Sequence, residues 1–188
     1  MILSTAKRDD MWYAAVTDEE GRLVACSFSS DKKAAEESAI NSLPETRRDL
    51  VRSARDSQVV EILHRIYLGK DLDHPPSVAF MTSSMFLKHV YEATMRIPKG
   101  KVTTYGRLAR LAGSKRLSRA VGNAMARNPL PLIVPCHRVV PSTLQVGNYG
   151  GAGTEKGQGG RVKRALLARE GVRFDGERIL PSCVWDPS

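Results

Sequence analysis

Acidic residues are missing from the middle of this sequence. No Asp or Glu occurs between Glu92 and Glu155, whereas nine Lys and Arg residues fall between Arg96 and Arg127. The chain has 188 residues and a formal net charge of +9. Because a merely solvated basic face usually has acidic residues interleaved with it, this basic tract favours a surface that faces phosphate groups.

Other scarce features exclude further classes of protein. No apolar run approaches the roughly 20 residues needed to cross a membrane, and the N-terminus lacks the apolar segment of a signal peptide. Three widely spaced cysteines, Cys26, Cys136 and Cys183, argue against a disulfide framework and favour a reducing compartment. No CxxC occurs, and the four histidines show no metal-ligand spacing near the cysteines. We therefore expect a cytoplasmic protein (nuclear in a eukaryote) without membrane contact, metal or other cofactor; a structural zinc stays an open alternative.

The first 76 residues have the pattern of a small α/β domain without a catalytic signature. β-type runs within residues 11–28 predict a hairpin. Asp31 can cap a first helix, and a second, amphipathic helix ends at Gly69. Prolines interrupt the pattern in residues 71–77, so we place a domain boundary there.

Residues 77–188 predict a second, mainly helical domain. A helix begins after Ser84, and a short helix capped by Thr103 or Thr104 follows it. Gly113 separates that short helix from the next one. Two short helices joined by a tight turn that contains glycine are typical of a helix-turn-helix motif.

The second helix of this motif has distinct apolar and basic faces. Its core-facing residues are expected to be Leu117, Val121, Ala124 and Met125. Small residues on the helix would let its backbone approach a duplex closely, and the acid-free tract supports DNA binding. The residues expected on the outer face are Arg116, Arg119, Asn123 and Arg127.

The segment LIVPCHRVV, residues 132–140, places a nucleophile, a base and a cation inside an apolar run. Cys136 could be a small buried hydrophobe, which is the commonest role of a free cysteine. The thiolate is nevertheless the reactive form of cysteine, and His137 follows directly. A nucleophile activated by a base is therefore the second interpretation.

Taken together, these residues resemble a known family. The segments RAVGNAMARNPLPLIVPCHRVV (119–140), VGNYGG (146–151) and ALLAREG (165–171) closely resemble the O6-alkylguanine-DNA alkyltransferases, and the likeness extends back through IPKGKVTTYGRLARLAG. It covers about Phe86 to Gly171, whereas the N-terminal third shares only the coarse pattern. The resemblance implies an α/β protein: a small N-terminal α/β domain, then a mainly helical domain with a helix-turn-helix and a buried active-site Cys loop.

The resemblance also implies a reaction, which is DNA repair by a single-turnover alkyltransferase. Cys136 would accept, irreversibly, the alkyl group from the O6 atom of guanine in duplex DNA. His137 would act as the base through a water, and Glu170 would orient its ring. Tyr105 matches the tyrosine that donates near the base, and Asn128 matches the residue that braces the turn before the active-site segment. A monomer without cofactor is expected.

A base within a duplex must be flipped out to reach a buried thiol. Arg119 matches the arginine finger that takes its place, on a recognition helix that enters the minor groove. Binding should therefore be tolerant of sequence and strongly salt-dependent. The residues expected to contact DNA are Arg119, Tyr105, Arg116, Asn123, Arg127, Thr103 and Thr104. The guanine pocket is implied to include Met125, Val139, Val146, Tyr149 and Gly150.

Departures from the family pattern, and rival functions, stay open. Residues 150–163 are longer and richer in glycine than expected. Such a loop could admit larger alkyl groups or act as a lid, but the glycines favour a mobile insertion without a dedicated role. Gly150 stands where serine is frequent, and Tyr91 where tryptophan is expected. The rivals are a lesion sensor, which Cys136 argues against, a cysteine hydrolase, which leaves the basic motif unexplained, and a sequence-specific transcription regulator.

Overall fold

The computed structural model describes residues 1–54, 58–113, 117–150 and 157–186. Backbone contacts divide these residues into two units. The first contains Met1–Met81 and Asn128–Ile133, and the second contains Thr82–Arg127, Val134–Gly150 and residues 157–186. The inclusion of residues 128–133 in the first unit is not visible in the sequence pattern, and the domain boundary placed at 71–77 stays a prediction.

The first unit is built on a four-stranded sheet with the order β3-β2-β1-β4. Neighbouring strands are antiparallel except β4, which runs parallel to β1. The predicted hairpin is confirmed as β2 and β3, with Gly21 in the left-handed region (φ 76°) at the turn. The strands are β1 (Ile2–Arg8), β2 (Met11–Thr17), β3 (Leu23–Ser29) and β4 (Arg52–Ala54).

Three helices accompany this sheet: α1 (Lys32–Asn41), α2 (Glu45–Arg48) and α3 (Gln58–Tyr67). The cap predicted at Asp31 is confirmed, because its Oδ1 accepts from the Ala34 amide at 2.8 Å. The amphipathic helix that ends before Gly69 is confirmed as α3. The apolar faces of the sheet and α1 form one core, which contains Leu3, Ala14, Val16, Val24, Ala25, Ala35, Ala39 and Leu43.

The second unit is mainly helical. Its helices are α4 (Met85–Met95), α5 (Tyr105–Leu111), α6 (Ser118–Ala126) and α7 (Gly159–Arg169). Two short strand pairs join them: parallel β5 (Thr103–Thr104) with β6 (Val139–Val140), and antiparallel β7 (Phe174–Asp175) with β8 (Arg178–Ile179). The mixed α/β class inferred from the sequence is confirmed.

Two helix caps that the sequence predicted in this unit are observed. The Ser84 hydroxyl accepts from the Leu87 amide at 3.3 Å, and the Thr104 hydroxyl accepts from the Arg107 amide at 3.3 Å. Of the two threonines considered as caps, Thr104 is therefore the one used. Helices α5 and α6 form the predicted helix-turn-helix, with Gly113 (φ 87°) closing α5. Residues 114–116 of the turn lie outside the described residues.

The inner face of α6 differs from the prediction at one residue. Val121, Ala124 and Met125 are buried, but Leu117 is 40% exposed. Leu117 precedes the helix with φ −102° and ψ 29°, so helical periodicity does not direct its side chain inward. Among the described residues, no helix is long and apolar enough to span a bilayer.

Candidate active site

Cys136 lies in a single turn of 3-10 helix, Cys136–Arg138. The Cys136 amide donates to the Val134 carbonyl at 2.7 Å, and the Arg138 amide donates to the Pro135 carbonyl at 2.9 Å. The turn leads into β6, which is held against β5. The thiol is therefore carried by a fixed, buried turn, in which Cys136 is 5% exposed.

Glu170 binds both side chains that follow Cys136. The Nε2 atom of His137 lies 2.8 Å from Oε1 of Glu170, while Arg138 donates from Nε to Oε2 and from Nη2 to Oε1, both at 2.8 Å. Arg138 Nη1 also donates to the carbonyl of Ile97 at 2.7 Å. This two-pronged pairing has the geometry that arginine and carboxylate prefer. The end of α7 is thus tied to the cysteine turn.

These contacts determine the charge of each group. Burial alone would raise the pKa of Glu170, but hydrogen bonds and charges from His137 and Arg138 outweigh it and lower that pKa to about 2. Burial lowers the pKa of His137, although Glu170 opposes this effect. At neutral pH, Glu170 is therefore ionised and His137 is neutral.

The protonation of the imidazole follows from its partner. Since Glu170 can only accept, the proton of neutral His137 is assigned to Nε2. Nδ1 then carries the lone pair. It is buried and has no hydrogen-bond partner within the part of the chain that the structure describes. An unpaired buried base next to Cys136 in sequence can take a proton.

A cavity of about 270 Å³ opens beside the thiol. Its size lies just below the roughly 300–1,000 Å³ of sites for drug-sized ligands, and suits a single small ring system. Tyr105, at the start of α5, lies on its wall; burial, and then the negative charge of Cys136, raise the pKa of Tyr105. Its hydroxyl therefore stays protonated. The lining residues are Tyr105, Gly122, Met125, Ala126, Cys136, Asn148, Tyr149, Gly150 and Lys163.

Two predicted pocket residues are placed elsewhere. Met125, Tyr149 and Gly150 line the cavity, but Val139 and Val146 are not among its described lining residues. Val139 is fully buried in β6, and its carbonyl accepts from Lys163 Nζ at 2.7 Å. Val146 faces a separate hollow of about 600 Å³. The strand pairing of Val139 turns its side chain into the core, which sequence spacing could not reveal.

The outer face of α6 presents the expected residues. Arg119, Asn123 and Arg127 are exposed there, while Arg116 lies outside the described residues. Thr104 is partly exposed. Thr103 is fully buried, and its hydroxyl donates to the Trp185 carbonyl at 3.3 Å, so its side chain has no free face for a nucleic acid. A DNA contact of Thr103 therefore cannot use its side chain, and the contact itself stays a prediction.

Asn128 belongs to the first unit and braces a turn there. Its Oδ1 accepts from the Leu130 amide at 3.0 Å, and the residue is 8% exposed. Metal ligands are not gathered anywhere in the described ranges: no group of three or more His, Cys, Asp or Glu could hold an ion. The three cysteines are buried and form no disulfide with one another.

Comparison with known proteins identifies the family of this chain. Residues 85–172 match the family described as 6-O-methylguanine DNA methyltransferase, DNA binding domain. The methylated-DNA–protein-cysteine methyltransferase of Thermococcus barophilus is 36% identical over 172 residues, which cover 87% of this chain and 91% of that protein. The chain belongs to this family.

Other relatives match over a smaller part of their length. The methylated-DNA–protein-cysteine methyltransferase of Thermococcus sibiricus is 41% identical over 122 residues, 63% of this chain and 64% of that protein. The chain spans 44–45% of the length of four mammalian relatives. The crystal structure of the O6-methylguanine-DNA methyltransferase from Pyrococcus kodakaraensis is similar with a TM-score of 0.68 and 29% identity, over 91% of this chain and 99% of that one.

Within this methyltransferase fold, the structure adds two residues that sequence reasoning missed. Arg138 and His137 both bond to Glu170. Lys163 lines the cavity, and its ammonium donates to the Val139 carbonyl. Burial lowers the pKa of Lys163 to about 8, against the opposing effect of the negative charge of Cys136. One signal was available: Lys163 and Glu170 are seven residues apart, which puts them on one face of a helix. That spacing does not predict that the two side chains are buried.

Proposed function

We propose that this chain repairs DNA by moving the alkyl group from O6 of a guanine to Sγ of Cys136, once per protein molecule. It would thus act as a methylated-DNA–protein-cysteine S-methyltransferase. One observation carries the proposal: a buried thiol at the wall of a cavity of about 270 Å³, followed in the chain by a His137–Glu170 pair at 2.8 Å. Membership of the family supports the same reaction.

The first step forms the thiolate. His137 accepts the proton of Cys136 at Nδ1, through a water, because Nε2 is committed to Glu170. Glu170 stabilises the imidazolium that results, and Arg138 holds Glu170 in place. Lys163 lines the same cavity, and its positive charge favours the thiolate over the thiol.

The second step transfers the alkyl group. The bond from sulfur to the alkyl carbon forms as the bond from that carbon to O6 breaks, and the electron pair of the broken bond stays on guanine. Tyr105, which burial keeps protonated, donates a proton to the departing base. The proton that His137 took from Cys136 returns through water to the Tyr105 oxygen, so that thiol and O6-alkylguanine become thioether and guanine, with His137 and Tyr105 restored. The thioether cannot be reversed by thiol exchange, so each molecule reacts once.

Access to the thiol requires that the guanine leave the duplex. We propose that α6 enters the minor groove, where Gly122 and Ala126 beside the cavity let the backbone come close. Arg119 would fill the position of the extruded base, while Asn123 and Arg127 contact the backbone. Unstacking costs on the order of a few kcal/mol, which these contacts offset. Such contacts carry little sequence information. We propose that the protein acts as a monomer, in the cytoplasm or, in a eukaryote, in the nucleus.

Intact mass and peptide mapping test the proposal directly. The protein is mixed with a duplex that contains one O6-methylguanine. A gain of one methyl group per protein, confined to the peptide with Cys136, is expected. Cys136→Ala should show no gain while still binding the duplex, and Cys183→Ala should behave as the wild type. No gain despite preferential binding of the damaged duplex would replace the proposal by a lesion sensor.

A further inference from the structure

The C-terminal segment is bound to the strand that leads into the helix-turn-helix. The Val102 amide donates to the Cys183 carbonyl at 2.9 Å, and the Trp185 amide donates to the Val102 carbonyl at 2.7 Å. Lys101 Nζ also donates to the carbonyl of Ser182 at 2.9 Å. These bonds fix the path of the chain up to Asp186, beside the first turn of α5.

At the end of this segment, Asp186 pairs with Arg107. Oδ2 of Asp186 lies 3.1 Å from Nη2 of Arg107, and the two side chains are 47% and 32% exposed. Half-exposed pairs of this kind contribute roughly 0–1 kcal/mol to stability. The contact is therefore easily exchanged for another partner of the same charge.

The pair borders an open hollow of about 590 Å³ on the second unit. Asp186 is the carboxylate among its described lining residues, and the exposed Arg110 and Ser142 lie on the same wall. Since no acidic residue occurs between Glu92 and Glu155, only the C-terminal segment brings a negative charge to this hollow. The Asp186 carboxylate is therefore held in a hollow whose other charged lining residues, among those that the structure describes, are Arg107 and Arg110.

We infer that Arg107 and Arg110 form a subsite for one phosphate of the DNA backbone, and that Asp186 occupies this subsite in the free protein. The inference rests on the proposed function. In a helix-turn-helix, the first helix crosses the sugar-phosphate backbone while the second enters a groove. Arginine binds carboxylate and phosphate oxygens with the same fork of N–H donors. Asp186 thus competes with the phosphate, and it weakens DNA binding equally for every sequence.

Salt dependence of binding tests this competition. Each phosphate that the protein neutralises contributes about −0.9 to the slope of log Kobs against log salt concentration. Binding of an undamaged duplex would be measured from 50 to 200 mM KCl for the wild type, Asp186→Asn, Arg107→Gln and the double variant. Asp186→Asn should steepen the slope by up to about 0.9 and tighten binding about threefold at the low-salt end. Arg107→Gln should make it shallower, and the double variant should match Arg107→Gln.

Glu177→Gln is the matched control. It removes the same charge beside Arg164, at 3.9 Å, on another part of the same unit. Its slope should equal that of the wild type, and unchanged thermal unfolding midpoints would show that all variants are folded. Equal slopes for the wild type and Asp186→Asn, or an Asp186→Asn effect that persists without Arg107, would overturn the inference. Methyl transfer to Cys136 in the same preparations separates this failure from failure of the proposed function.

Discussion

Lys163 shows how one buried charge can adjust the reactivity of a neighbour. It is 1% exposed, and its ammonium donates to the Val139 carbonyl. Lys163 and Cys136 line the same cavity. Burial lowers the pKa of Lys163 to about 8, so the ammonium dominates only below that pH. Since a positive charge favours the thiolate, Lys163 should lower the pH at which Cys136 becomes reactive.

The variant Lys163→Met tests this effect. We expect its rate of methyl transfer at pH 7 to fall about tenfold, the equivalent of one pKa unit. The pH profile should move to higher pH, and the two proteins should converge above pH 9, where Lys163 of the wild type is itself neutral. Rates of methyl transfer from the same duplex, measured from pH 6 to 9.5 for both proteins, test this shift. Loss by the same factor at every pH would mean that Lys163 acts only through packing.

Glu170 stabilises the site because it bonds both His137 and Arg138. Replacing it by glutamine leaves Arg138 and His137 without their anion, and breaking a buried pair from one side costs about 3–5 kcal/mol. We expect that loss in the free energy of unfolding of Glu170→Gln in urea at pH 7. Glu177→Gln, an exposed pair, should change it by less than about 0.5 kcal/mol.

The pH dependence of the same variant has a definite sign. The folded protein lowers the pKa of Glu170 from 4.5 to about 2, so the unfolded chain takes up its proton first as the pH falls. The stabilisation is therefore complete above about pH 4.5 and is lost as the pH falls toward 2. Wild type and Glu170→Gln should approach each other in acid. A difference that stays constant down to pH 3 would contradict this assignment.

At the scale of elements, the start of α7 is fixed by a close backbone contact. A Cβ at Gly159 would overlap the carbonyl of Tyr149, whereas a Cβ at the neighbouring Gly160 would meet only the Gly147 carbonyl at 3.6 Å, an ordinary contact. Tyr149 lines the cavity beside Cys136. Gly159 therefore lets α7 bring Lys163 and Glu170 to the thiol while Tyr149 keeps its place.

Alanine at these two neighbouring glycines separates this role from a general effect on α7. Gly159→Ala should displace Tyr149 and slow methyl transfer at least about tenfold, since small displacements of reacting groups cost large factors in rate. Gly160→Ala should react at close to the wild-type rate. Single-turnover rates and thermal unfolding midpoints of both variants provide the check. Equal rates for the two variants would remove Gly159 from the description of the pocket.

For the whole molecule, the charge distribution predicts how it meets DNA. The net charge of +9 and the acid-free tract give a long-range attraction for polyanions, and the exposed Arg119 and Arg127 direct it to α6. Contacts that reach the backbone and the minor groove carry little sequence information.

We therefore expect two undamaged duplexes of unrelated sequence to bind equally, with a steep salt dependence. Arg127→Gln should make the slope of log Kobs against log salt concentration shallower by about 0.9, equally for both duplexes. Fluorescence anisotropy titrations at several KCl concentrations measure this. A strong preference for one duplex, unaffected by damage, would favour a transcription regulator.

Local signals account for the elements that sequence analysis predicted. Asp31, Ser84 and Thr104 cap helices because their side chains bond the amide three residues on, and the hairpin follows from strand-forming runs around a glycine turn. β4 was missed, since its three exposed residues are a strand only through pairing with β1. Leu117 was misplaced, because α6 begins one residue later than its periodicity suggested.

By itself, the sequence determined the family, the α/β class and the helix-turn-helix, and it predicted Cys136 as the nucleophile, because these depend on residue types at fixed separations along the chain. Tertiary structure alone decided that Arg138 shares Glu170, that Lys163 is buried at the thiol, and that Val139 and Thr103 face inward. It also brought Asp186 to Arg107. Burial and long-range pairing set the charge of a group and the direction of its side chain, and neither is encoded in the spacing of neighbouring residues.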